Sequence, residues 1–202
     1  FGMMMVATGD ADAFVTGVYS RYSEVTKMAE QIIGIRPSYK HFGALNILTC
    51  KKGTFFMADT LINRHPSAEV LIDIARLTHD AVKFFAHEPV MAMLSYSNFG
   101  ADKQGSPLKV HEAIDFLHKT YPDMVVDGEM QVNFALDKKL RDDMYPSTSE
   151  RARREYLDLP EPKLRQQRIQ AIGYAGYHRD DRPNPDGIEQ TDPLHRRRKL
   201  YP

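Results

Sequence analysis

Residues Pro89–Gly100, Pro-Val-Met-Ala-Met-Leu-Ser-Tyr-Ser-Asn-Phe-Gly, constrain the fold more than any other stretch of the chain. Val90 to Leu94 is an unbroken apolar run with no polar position to turn toward water. A strand of that kind is covered on both faces, as strands inside a parallel sheet are. Ser95, Ser97, Asn98 and Gly100 follow directly. Open α/β sheets take ligands beyond the C-terminal ends of their strands, so hydroxyls, an amide and a glycine at that point make a candidate binding loop. The same residues also suit a plain polar strand-to-helix turn.

The flanking sequence supports a parallel sheet. Pro66-Ser67 opens a helix with Ser67 as cap and Glu69 in the first turn, and Val70, Ile74, Leu77, Ala81 and Phe84 recur at helical spacing. After Gly100, Ser106 is expected to cap a helix with Pro107 at its first position and Val110, Ala113, Ile114 and Leu117 as its buried stripe. Met124–Val126 reads as a strand, and 131–143 as a further helix. Helix, strand, helix, strand, helix with these lengths predicts an α/β fold with a mostly parallel sheet flanked by helices. Leu45–Thr49 and Thr54–Ala58 are joined by Cys50-Lys51-Lys52-Gly53, too short for a crossover, so residues 45–58 are expected as an antiparallel hairpin. Nearer the N-terminus, Phe1–Val6 is a helix end or a strand, Ala13–Gly17 a short strand, and Ser23 the cap of a helix that Gly34 stops.

Polar groups recur where these strands run out. Thr16, Asp59 with Thr60 and Asn63, Ser95, Ser97, Asn98 and Gly100, and Asp127 with Glu129 are the candidate ligand-binding residues. For Asp59 a turn cap is the commoner role of such a residue. His79 and His87 lack Cys, His, Asp or Glu partners at metal-binding spacing and read as structural or solvated, so no metal site is expected.

Composition divides the chain near Pro146. All ten Phe and all ten Met precede it, while residues 147–202 contain no Val, Phe or Met and six of the twelve Pro. The domain is therefore placed at residues 1–146. Residues 147–202 are expected to be a charged, Pro-rich tail, with a charged helix across Ser149–Gln170 and disorder beyond Tyr174. Lys and Arg total 27, as do Asp and Glu. A zero net charge gives no reason to expect nucleic acid or an anionic membrane as partner. No apolar run is long enough to span a bilayer, no signal peptide is visible, and the single Cys50 excludes an internal disulfide framework. The cytoplasm is the expected setting, with Cys50 a small buried hydrophobe.

No Gly-x-Gly-x-x-Gly fingerprint, Walker loop, Gly-x-Ser-x-Gly elbow or zinc spacing is present. Hydroxyls and backbone N–H groups near helix starts fit a phosphate-bearing ligand better than a serine nucleophile. Four motifs in order, Phe1–Gly17 (FGMMMVATGDADAFVTG), Phe56–Asn63 (FMADTLIN), Pro89–Gly100 and Pro122–Gln131 (PDMVVDGEMQ), together with Arg141–Pro146 (RDDMYP), resemble the phosphate acetyl- and butyryltransferase family. Within it, the chain is most similar to the phosphotransacetylase-like C-terminal domain of bacterial NADP-dependent malic enzymes. The resemblance implies two α/β lobes with a cleft between them and a dimer or other homo-oligomer. It implies exchange of an acyl group between CoA and phosphate without a metal. For domains fused to malic enzyme it implies acetyl-CoA sensing and allosteric regulation instead. NADP and a divalent metal would then belong to an upstream oxidoreductase domain. The family's later Ser-Arg-Gly segment, which supplies catalytic and phosphate-binding groups, has no counterpart in this sequence. Three functions are therefore open: an acyl-CoA-binding regulatory domain, a phosphate acyltransferase, and an oligomerisation module built on the 45–58 hairpin edge.

Overall fold

The computed structural model describes residues 1–145, apart from 18, 19 and 52, together with the backbone of the strand Arg168–Tyr174. In chain order the elements are α1 (Gly2–Thr8), α2 (Tyr22–Ile32), β1 (Leu45–Cys50), β2 (Gly53–Ala58), α3 (Ala68–Phe84), β3 (Glu88–Leu94), α4 (Gly105–Thr120), β4 (Val125–Met130), α5 (Val132–Leu136), α6 (Lys138–Met144) and β5 (Arg168–Tyr174).

The strands form one sheet in the order β1-β2-β5-β3-β4. β1 and β2 pair antiparallel from Leu45↔Ala58 to Cys50↔Gly53, as the short linker requires. The other three pairings are parallel. α3 and α4 cover one face. There Leu71, Ala75 and Val82 of α3 and Val110, Ala113, Ile114 and Leu117 of α4 close over Phe56, Met91, Met93 and Val126. α5 and α6 cover part of the other face, where Ala92, Leu94, Met130, Phe134 and Ala135 form a second cluster. Coverage of both faces is why Val90–Leu94 is apolar throughout, with every one of these residues buried. Each large side chain removed from water there contributes roughly 1.5–3 kcal/mol.

α3 is built as its periodicity predicts. Ser67 Oγ accepts from the Val70 N–H at 3.3 Å, Glu69 lies in the first turn and Lys83 in the last. Its start is tied to the segment before β1. Asp73, buried on α3, accepts from the Lys40 N–H (3.0 Å), the His41 N–H (3.2 Å) and His41 Nδ1 (2.9 Å), with Arg76 Nη1 at 3.4 Å. The Arg76 guanidinium stacks between the rings of Tyr39 and Tyr121, 4.5 and 5.0 Å from their centroids.

Several expectations are corrected. Ala13–Gly17 is not a strand: the Phe14 ring packs on Gly2 of α1 instead, and the segment pairs with no strand. Phe1–Val6 resolves as part of a helix. Arg21, not Ser23, occupies the cap position of α2, although Gly34, at φ 83°, ends that helix as expected. α4 begins at Gly105 with Gln104 before it, so Ser106 is not the cap and Pro107 is the third helical residue, still among the N–H groups that have no helical acceptor. The helix expected over 131–143 is two, because Asp137 turns the chain and caps α6 through the Leu140 N–H at 3.0 Å. Cys50 is exposed, since β1 is an edge strand open to solvent on both faces.

The largest departure is β5. It lies beyond the composition break yet occupies the middle of the sheet, paired with β2 through Phe56↔Ala171 to Ala58↔Gly173 and with β3 through Glu88↔Arg168 to Leu94↔Tyr174. Residues 168–170, expected at the end of a charged helix, are strand. The rest of that helix and the stretch beyond Tyr174 lie outside the described residues. No helix among the described residues is long and apolar enough to cross a membrane.

Candidate functional site at the C-terminal sheet edge

Parallel pairing brings the C-terminal ends of β2, β5, β3 and β4 to one edge. The register sets their levels. Ala58 pairs with Gly173 and Leu94 with Tyr174, so Asp59 lies level with Leu94, two strand spacings or roughly 10 Å away. Leu94 pairs with Met130, which sets Ser95 level with Gln131.

The loop after β3 is folded onto the end of β4. Ser95 N–H donates to the Met130 carbonyl at 2.9 Å, and Phe99 N–H to the Glu129 carbonyl at 2.7 Å. Glu129 is wholly buried, and its Oε1 accepts from the Gly100 N–H at 2.6 Å. Asn98 Oδ1 accepts from the Gln131 N–H at 2.8 Å, and Gln131 Nε2 donates to the Tyr96 carbonyl at 2.7 Å. Within the loop, buried Ser97 accepts through Oγ from the Asp102 N–H at 3.0 Å, and the Tyr96 hydroxyl donates to Asp102 Oδ2 at 2.9 Å. The turn needs left-handed backbone at Phe99 (φ 47°) and Gly100 (φ 79°), and the glutamate fixes it there. Ser95 stays half-buried at the strand end.

Asp127 and Glu129 were expected in the loop after a short strand. They lie inside β4, which runs on to Met130 because β3 pairs with it that far. Asp127 is buried and accepts from the Gly128 N–H at 2.9 Å. Burial pushes its carboxyl above the ordinary range, opposed by that hydrogen bond and by the charges of Arg141 and His118. Gly128 has no room for a side chain: a Cβ would stand 2.5 Å from the Met93 carbonyl oxygen.

The end of β2 is built differently. Asp59 adopts φ 50° and donates its N–H to the Ala44 carbonyl at 2.6 Å. Its Oδ2 accepts from the Asn63 N–H at 3.2 Å, and Asn63 Nδ2 donates to the Phe42 carbonyl at 3.1 Å. Thr60 Oγ1 accepts from Asn46 Nδ2 at 2.7 Å. Tyr22, the first residue of α2, stands near enough that the Asp59 charge adds to burial in raising its hydroxyl pKa. Among the described residues two buried side-chain atoms lack a hydrogen-bond partner, Asp59 Oδ1 and Glu129 Oε2. Both belong to this edge. A buried, unpaired carboxylate oxygen costs about 1–3 kcal/mol, so one at each end of the same sheet edge calls for an explanation.

Of the ten sequence candidates, eight lie in the loops after β2 and β3 or at the last residues of β4, Asp127 lies deeper in β4 opposite Ala92, and Thr16 lies on an exposed loop. Gln131 and Arg141 were not singled out. Arg141 is buried, donates to the Phe134 carbonyl at 2.9 Å and acts electrostatically on Asp127. Its signal was its place in Arg141–Pro146, one of the quoted motifs. No group of three or more His, Cys, Asp or Glu suited to a metal occurs among the described residues.

A model of the phosphate acetyl/butaryl transferases matches residues 1–153. The chain belongs to that family. Proteins similar to it include an NADP-dependent malic enzyme of Escherichia coli, 34% identical over 159 residues that make up 79% of this chain and 21% of that protein. A phosphate acetyltransferase of Mycoplasma capricolum is 30% identical over 149 residues, 73% of this chain and 46% of that one. The crystal structure of a phosphotransacetylase from Streptococcus pyogenes superposes with a TM-score of 0.66 at 28% identity, over 85% of this chain and 49% of that chain. The chain thus spans about half of the phosphate acetyltransferase and a fifth of the malic enzyme. The segments FMADTLIN, PVMAMLSYSNFG and PDMVVDGEMQ all lie within the matched residues and carry β2, β3 and β4 to the sheet edge.

Proposed function

We propose that the C-terminal sheet edge binds an acyl-CoA or acyl phosphate, acetyl-CoA foremost, and that the domain serves as the regulatory part of an NADP-dependent malic enzyme. The observation that carries this reading is the convergence of family motifs on one edge that retains two unsatisfied, buried carboxylate oxygens. The likeness to malic enzymes supports the regulatory role. The chemistry favours particular parts of the ligand. Asp59 and Glu129 place two buried acidic side chains at the ends of β2 and β4, and Asp127, deeper in β4, feels the charge of buried Arg141. Acceptors in low dielectric suit the amide N–H groups of a pantetheine arm, whereas a phosphate group suits the hydroxyl of half-buried Ser95. NADP and a divalent metal would be held by a separate oxidoreductase domain. Calorimetry with acetyl-CoA, CoA and inorganic phosphate tests this. Binding of acetyl-CoA that Asp59→Ala and Ser95→Ala both weaken is the expected result; no heat and no thermal stabilisation at millimolar acetyl-CoA would remove it.

A second reading, phosphate acyltransferase, draws on the similar phosphate acetyltransferases and phosphotransacetylase. Release of free thiol from acetyl-CoA in the presence of phosphate decides it. Turnover at background would leave binding without transfer, in keeping with the missing Ser-Arg-Gly. A homo-oligomer is proposed on either reading. Ile47 and Leu48 on the open edge strand are 48% and 53% exposed, and light scattering of Ile47→Lys against the unaltered chain tests whether that edge is used.

A further inference from the structure

We infer that Asp73 of α3 is a positioning residue for the β2 end of the site, acting on Asp59 and Asn63 through the backbone of residues 40–44. The inference rests on the proposed ligand site, in which those two residues take part.

The connection is continuous. Asp73 Oδ2 gathers three donors from one short stretch, the N–H groups of Lys40 and His41 and the ring Nδ1 of His41, at 2.9–3.2 Å. An ionised carboxylate only accepts, so His41 Nδ1 donates. The next residues turn their carbonyls to the site: Phe42 O receives Asn63 Nδ2 at 3.1 Å, and Ala44 O receives the Asp59 N–H at 2.6 Å. Gly43, between those carbonyls, passes close beneath Asp59: a Cβ there would stand 3.7 Å from Asp59 Cβ and 3.4 Å from Ile74 of α3. Asp59 itself holds a left-handed φ of 50°, a conformation that persists only where its surroundings impose it. The surroundings that impose it are this stretch of chain, and Asp73 fastens the stretch to a helix. The stretch has other ties to α3, in which the Tyr39 hydroxyl donates to Asp80 Oδ2 at 2.7 Å and Lys40 Nζ pairs with Glu69 Oε1 at 2.6 Å, but those are exposed, whereas the Asp73 carboxylate that gathers the backbone amides is buried. A cavity of about 430 Å³ opens between Gly34–Arg36, His41–Leu45 and α3, and another of about 400 Å³ is lined by Lys40, Glu69, Asp73, Arg76 and Tyr121. With cavities beside it, hydrogen bonds carry a large share of the fastening, and those to Asp73 are the buried ones among them.

The charged and titratable groups facing Asp73 are Lys40 and His41 from the stretch, Glu69 and Arg76 from α3, and Tyr121 at the end of α4 across Arg76. Burial pushes the Asp73 carboxyl up, but the His41 ring and the amides of Lys40 and His41 outweigh it and hold the group below its ordinary value. A carboxyl depressed in the folded state gives its stabilisation above its unfolded pKa and loses it as pH falls through the folded one. Acid therefore releases the stretch.

Amide hydrogen exchange and acetyl-CoA calorimetry on Asp73→Asn, set beside the unaltered chain, test the inference. The expected result is faster exchange at Lys40, His41 and Asp59 with unchanged exchange at Phe99 and Gly100, which Glu129 holds, and acetyl-CoA binding weakened about tenfold. The acid loss of Asp59 protection seen in the unaltered chain should be absent from the variant. Leu117→Ala, which loosens the core away from this stretch, controls for general destabilisation and should not single out Asp59. Unchanged protection at Asp59 in Asp73→Asn, or speeding of all amides in parallel, overturns the inference. If the unaltered chain binds no acetyl-CoA, the ligand reading falls, while the exchange comparison still decides the role of Asp73.

Discussion

The two ends of the candidate site solve one problem in different ways. At β3 the loop is held by the neighbouring strand: Glu129 and Gln131 of the β4 end receive and donate the bonds that shape Tyr96–Gly100. At β2 the equivalent residues are held from outside the sheet, by carbonyls of Phe42 and Ala44 whose own anchor is a helix. The first clamp is made of core, so damage to it should cost folding. The second is made of surface chain, so damage to it should cost binding while the fold survives.

The largest effect expected from breaking the first clamp is at Gly128. In Gly128→Ala the new Cβ meets the Met93 carbonyl and Ile114, at a φ of 139° that side chains rarely adopt. Overpacking and backbone strain together should destabilise by roughly 3–5 kcal/mol, measured by denaturant unfolding. A loss under 1 kcal/mol would mean that the β3–β4 contact is looser than described. Glu129→Ala comes next. It strips the acceptor from the buried Gly100 N–H and should cost about 2–3 kcal/mol, with Glu129→Gln retaining most of the stability because an acceptor remains.

The second clamp sharpens the contrast. Asp59→Gly removes the acceptor for the Asn63 N–H but also relieves a left-handed backbone, and each effect is worth about 1 kcal/mol. The net change in stability should fall within about 1 kcal/mol, while acetyl-CoA binding is lost. A large destabilisation with binding intact would reverse the assignment of roles to the two ends.

The smallest effects concern pH and carry opposite signs. The Asp127 carboxyl is raised by burial, so its contribution is fully present below the unfolded pKa and is lost as pH rises through the folded one. Asp127→Asn should therefore raise the melting temperature at neutral pH, and the gain should vanish in acid. Asp73 is depressed, so Asp73→Asn should lower the melting temperature at neutral pH and lose its effect in acid. Thermal melts from pH 3 to 7 on both variants check the pair; shifts of the same sign would show that burial, not partners, governs both groups. Tyr39, raised to about 12 by burial and then by Asp80, stays protonated across this range and does not confuse it.

Much of this arrangement could be read in the chain beforehand. The alternation of α3, β3, α4 and β4 and the hairpin came from local pattern, as did the choice of polar residues where β2 and β3 run out. The misses share a cause. Asp127 and Glu129 look like turn residues because acids rarely sit in a buried strand, and only their partners show why they do here. Ala13–Gly17 looks like a strand because nothing local reveals that Phe14 packs on α1 instead. Arg141 looks solvated until α6 folds it beneath Asp127.

What the sequence determined by itself was which faces are apolar and where regular structure stops. Both are written in neighbours a few positions apart: the run Val90–Leu94, the spacing of Val110, Ala113, Ile114 and Leu117, the Ser67 cap and Gly34. What only the tertiary structure decided was who pairs with whom. The chain's last described strand, Arg168–Tyr174, enters between β2 and β3 although its short run Ala171–Tyr174 follows a long charged stretch, because two parallel neighbours offer it backbone partners on both sides. The clamps were likewise invisible, since Glu129 reaches Gly100 across 29 residues, Gln131 reaches Tyr96 across 35 and Asp73 reaches Lys40 across 33. Hydrogen bonds at such separations depend on how the sheet is ordered, and that order is a property of the packed chain and not of any stretch within it.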